Sequence, residues 1–247
     1  MVIRKSLRKL KEFIDLSIPL IETLEVDDDV APVRDLTVAR YKGVSQQIDT
    51  QIKSVRQESV EAKQAGDALD AAEGDAVDAY DTIYKGLRIA HLQAQVSGES
   101  TAADHVDHLD RFLEGNNTSD FERTTASAKV GYLERAFQFR DQFLDGTIDA
   151  GRIAAAEQAL ERLRGAQTQW AKETQEARDA DVHLDALEER ARTEYSAGRD
   201  WIRGCLRLLG REDRLGDIIP PLRDIYRTSS DADEPAPAPS PEEPTPA

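Results

Sequence analysis

Residues 69–88, "LDAAEGDAVDAYDTIYKGLR", and residues 184–203, "LDALEERARTEYSAGRDWIR", decide the fold between them. In the first, Leu69, Ala72, Ala76, Tyr80, Ile83 and Leu87 recur at steps of three and four, the spacing of one face of an α-helix. Leu184, Leu187, Ala191, Tyr195, Gly198 and Ile202 repeat that rhythm in the second. At an offset of 115, residues 58–88 and 173–203 are identical at eleven of thirty-one positions, including Glu58/Glu173, Glu61/Glu176, Leu69/Leu184, Tyr80/Tyr195 and Arg88/Arg203. Acidic, Ala-rich helices coincide partly through composition alone. A shared Leu-Asp-Ala run, with Tyr and Arg in register, points instead to an internal duplication.

The pattern extends outward from both stretches. A helix opening at Pro32, a favoured first helical position, carries Tyr41, Val44, Ile48, Ile52 and Val55. A second, holding the first quoted stretch, ends near Gly98. Later helices carry Leu160, Leu163, Trp170 and Ala177, then the second quoted stretch as far as Leu209, with Gly210 placed to close it. Residues 119–145 match the first helix in apolar phase at an offset of 123: Leu7, Leu10, Ile14 and Ile21 fall on Val130, Leu133, Phe137 and Leu144. Ser119 and Glu122 read as a capping box. Each half is thus expected to run short, long, long, short, as residues 1–114 and then 115–228 packed on the first. The predicted fold is all-α, an elongated antiparallel helical bundle of two tandem pseudo-symmetric repeats. Residues 229–247 hold six of the ten prolines and five acidic residues, a composition that cannot build a core and predicts a disordered tail.

Composition agrees with a helical core. Hydrophobic residues make up 39% and aromatics only 6%, so Ala, Leu, Ile and Val must do the packing. Small side chains suit closely packed helices. The net charge of −16 repels phosphate backbones and argues against nucleic-acid binding. The lone Cys205, inside an apolar helical stretch, cannot form an internal disulfide and fits a reducing, cytoplasmic setting. The N-terminal helix is basic and amphipathic, which would suit a membrane surface, but a bundle helix carries the same stripe and is the preferred reading. No run approaches the length of a spanning helix.

Chemistry is concentrated in "ADHVDHLD", residues 103–110. Ala102, Val106, Leu109 and Leu113 would form the inward stripe of a short helix. That leaves Asp104 and His108 as wet-side neighbours at i, i+4, with His105 on the flank. Asp104, His105 and His108 supply half a metal site, since a closed site needs three or four converging ligands. The Glu-x-x-His motif of di-iron bundles is missing, as are the motifs for phosphate loops, zinc proteases and nucleophile elbows. Tyr80 and Tyr195 are expected as core anchors, with Arg88 and Arg203 two turns beyond; these four are the candidate ligand or partner contacts. No cofactor is expected. The reading that follows is a non-enzymatic scaffold or adaptor that binds another protein or itself. A metal- or ligand-binding bundle using His105, His108 and nearby carboxylates is the alternative, alongside peripheral membrane attachment through the first helix.

Overall fold

The computed structural model of the chain describes residues 5–98, 117–138, 140 and 144–224. It is an all-α bundle, with no strand among the described residues. Helix α1 spans Lys5–Glu22 and α2 spans Ala31–Ser97; α3 is a short turn at Thr118–Glu122 and α4 covers Ala126–Gln138. Helix α5 runs Ala150–Leu208, followed by a 3₁₀ turn at Glu212–Arg214 and α6 at Leu215–Ile218.

Two differences from the expected elements stand out. Four long helices were expected, and the structure has two, of 67 and 59 residues. Neither expected junction holds a proline, and both are rich in Ala, Glu, Gln, Lys and Arg, the residues that cost least in a helix. Gly66 at the first junction is tolerated because one glycine costs only about 1 kcal/mol against alanine. The second difference lies at residues 119–145. Asn117, not Ser119, caps the segment: its side chain accepts from the Asp120 backbone N–H, and Asp120 reaches back to the Asn117 N–H. The helix then breaks over residues 123–125 before α4 begins. Where the expected caps are glycines they hold, with Gly98 and Gly210 both at φ +67°.

The chain forms two compact units, residues 1–57 with 179–247, and residues 58–178. Each takes one arm of α2 and one arm of α5, so neither coincides with residues 1–114 or 115–228. In the first unit α1 buries Leu7, Leu10, Ile14 and Ile21 at helical spacing against Tyr41, Ile48, Ala191, Tyr195 and Ile202. The amphipathic stripe of α1 is therefore covered inside the protein. Numbers rise along α2 as they fall along α5: Tyr41 Oη donates to the Tyr195 carbonyl at 2.8 Å, and Gln51 Nε2 to the Ala180 carbonyl at 3.0 Å. These two arms are antiparallel.

The Tyr41 and Tyr195 rings stack with centroids 5.7 Å apart, and Tyr195 Oη donates to the Pro220 carbonyl. Burial pushes the Tyr41 hydroxyl far above its ordinary value and the Tyr195 hydroxyl up to about 12, so both stay neutral donors. The ring of Tyr41 lies so close to Gly198 that a Cβ there would meet it at 2.5 Å.

The second unit repeats this logic with different contacts. Tyr80 stacks on Phe121 at 4.0 Å, among Ala76, Ile83, Leu87, Leu133, Leu144, Ile153 and Leu163. Its α2 and α5 arms are antiparallel too, with Gly66 against Trp170 and an Arg162–Asp75 ion pair at 3.1 Å. Lys129 of α4 is buried and bonds Glu73 of α2. Its counterpart at the 123 offset, Ser6, donates in the first unit to Glu188, the counterpart of Glu73 at the 115 offset.

Candidate functional site

Asp104, His105 and His108 lie outside the described residues. Of the other two histidines, His91 is half-buried on the α2 arm of the second unit, and His183 is exposed on the α5 arm of the first.

Tyr80 and Tyr195 are both fully buried, one in each core. Arg88 lies over the Tyr84 ring at 5.7 Å and reaches its hydroxyl. Arg203 pairs with Asp200 one turn away at 2.8 Å. Each arginine is thus engaged by a neighbour on its own helix, and the four candidate contacts are divided between the two units. Burial pushes the Cys205 thiol up, which keeps it protonated and unreactive.

A different set of side chains does converge. Glu58 and Glu61 on α2 face Glu173 on α5, and one carboxylate oxygen from each lies within 4.8 Å of the others. All three belong to the second unit. Glu58 and Glu61 share a helix face at i, i+3, and the antiparallel pairing brings Glu173 opposite them. Glu173 is only 6% exposed. Its Oε1 accepts from Gln169 Nε2, one turn earlier, and from Lys172 Nζ at 3.4 Å. Its Oε2 is buried with no hydrogen-bond partner. Glu176 adds a fourth carboxylate, and Lys172 bridges to it at 3.3 Å. Partial burial, then the charges of Glu61, Glu176 and Glu173, push the Glu58 carboxyl above its usual range. Lys172 is raised in turn by Glu176 and Glu173.

Apolar spacing does not single out this group, although the repeat carries a mark of it. Glu58/Glu173 and Glu61/Glu176 are matched pairs of the internal alignment, so two Glu-x-x-Glu motifs stood at the repeat offset. Their convergence needs the antiparallel register, which spacing alone does not supply. Chemically the group is a hard, all-oxygen donor set of high negative charge. The protein is thus an all-α helical bundle bearing a carboxylate cluster between two of its helices. The chain matches no family model, no curated protein and no solved structure.

Proposed function

We propose that the chain is a duplicated, non-enzymatic helical scaffold that works by binding another protein. The observation that carries this reading is an apolar row on the end of α2: Ile89 and Leu92 are more than half exposed and Val96 is 90% exposed. The spacing of three and four residues puts them on one helix face, where an isolated surface leucine would need no explanation but a row does. Lys85 and Arg88 precede Ile89 and Leu92 by one turn each, so cationic side chains flank the row. A partner with an apolar ridge and an acidic rim fits that surface. The duplication is supported by equivalent burial at matched positions: Leu69 and Leu184, Ala76 and Ala191, Tyr80 and Tyr195 are all buried. No described helix is long and apolar enough to cross a membrane. The cytoplasmic setting proposed here is favoured by the single buried cysteine.

Site-specific photo-crosslinking in the native host tests the reading. A crosslinking residue at Leu92 should trap a product of discrete mass, and Ile89→Asp should abolish it. A product of twice the chain's mass would identify the partner as a second copy. If Leu92 traps nothing beyond what the exposed, polar Lys63 position traps, the scaffold surface is not there.

A further inference from the structure

We propose that Glu58, Glu61 and Glu173 form a binding site for a divalent cation of calcium size. Clustered carboxylates on an acidic surface are common without an ion, so the cluster by itself decides nothing. The deciding feature is Glu173. It is 94% buried, being 6% exposed, and its Oε2 has no hydrogen-bond partner. A buried carboxylate oxygen left unsatisfied beside two further carboxylates is strongly disfavoured unless a cation completes it. Gln169 and Lys172 occupy Oε1, so Oε2 is the Glu173 oxygen without a partner, on a carboxylate that brings one oxygen within 4.8 Å of one each from Glu58 and Glu61.

The donor set chooses the class of metal. Three carboxylates with no nitrogen or sulfur ligand suit calcium, magnesium or manganese and disfavour zinc or copper. Size narrows it further. Oxygens no more than 4.8 Å apart lie within about 2.8 Å of their common centre, close to the 2.3–2.6 Å of calcium ligands. Magnesium, at about 2.0–2.1 Å in strict octahedral geometry, would require a larger contraction. Glu176, its side chain 46% exposed, and solvent can fill the remaining positions. Lys172 is the resident counter-charge; at 58% exposure it can swing away when an ion enters. Bound there, the cation would tie α2 to α5 within the second unit, through Glu58 and Glu173, which are counterparts in the internal repeat, together with Glu61.

Terbium, a luminescent calcium surrogate, tests the site in the full-length chain. Trp170 lies one helical turn before Glu173 and should sensitise bound terbium, and calcium should displace it. Trp170→Phe should remove most of the luminescence while leaving a calcium-dependent rise in Tm intact. Glu58→Gln combined with Glu173→Gln should lose both responses, yet melt without calcium at or above wild type, because like charges have been removed. Should the double variant lose the wild-type circular dichroism, the half-buried Glu58→Gln alone is read the same way. The proposal is overturned if Tm does not rise with calcium at about 1 mM and fixed ionic strength, the weak end of protein calcium sites. It is equally overturned if wild type and the glutamine variant respond alike, since that marks general counter-ion binding. Magnesium matching calcium at equal concentration would refute the size assignment.

Discussion

Gly198 and Gly204 sit six residues apart on the same helix and face different environments. A Cβ at Gly198 would collide with the Tyr41 ring at 2.5 Å, whereas at Gly204 it would meet nothing within 4 Å. The ring cannot easily retreat, because its hydroxyl is held by the Tyr195 carbonyl and its face by the Tyr195 ring. Gly→Ala inside a helix gains about 1 kcal/mol from propensity. Overpacking a filled core costs about 1–3 kcal/mol. Gly198→Ala should therefore lower stability by about 1 kcal/mol net, while Gly204→Ala raises it by a similar amount. Denaturant melts of the two variants check this, and equal shifts would refute the close Tyr41 contact. The glycine at 198 was legible as part of an apolar stripe. Its reason was not, since Tyr41 approaches from a residue more than 150 positions away.

Apolar spacing gives the helices in kind but not in number. Three-and-four spacing located every long helical stretch, because that period follows from backbone geometry alone. What spacing could not locate was the absence of a stop between Val55 and Leu69. Apolar phase weakens there, and weak phase resembles a loop. In the structure the helix simply continues, with Val60 55% exposed. Val60→Pro distinguishes the two states. In a loop it would be nearly neutral; inside α2 it removes a hydrogen bond and should cost about 3 kcal/mol. Lost signal at 222 nm together with a lowered Tm is the expected result. An unchanged Tm would mean that α2 is not continuous. The cap of α3 shows a similar limit: Asn117 and Ser119 both suit that role by type, and the choice depended on where Phe121 had to be buried against Tyr80.

For the whole molecule, the division into cores has a consequence for folding. The first core joins Leu7, Ile14 and Tyr41 to Ala191, Tyr195 and Ile202, and the second joins Tyr80 and Leu87 to Leu133, Ile153 and Leu163. Each therefore draws on residues both before and after position 114. Fragments 1–114 and 115–228 expressed separately should melt without cooperativity, and mixing them should restore a cooperative transition. A fragment that melts alone with the full-length Tm would show that its half has a core of its own.

The sequence by itself determined the all-α class, the inward face of each long helix, the matched pairs at the 115 offset and the helix-ending glycines. All of these follow from local backbone geometry and the period of apolar residues. Only the tertiary structure decided that each expected pair of long helices is one helix, and that the compact units interleave the two halves of the chain. It alone brought Glu58 and Glu61 against Glu173. The reason is physical. Which apolar face meets which, and in what register, depends on burying complementary surfaces between segments distant in the chain, and no local repeat encodes that distance.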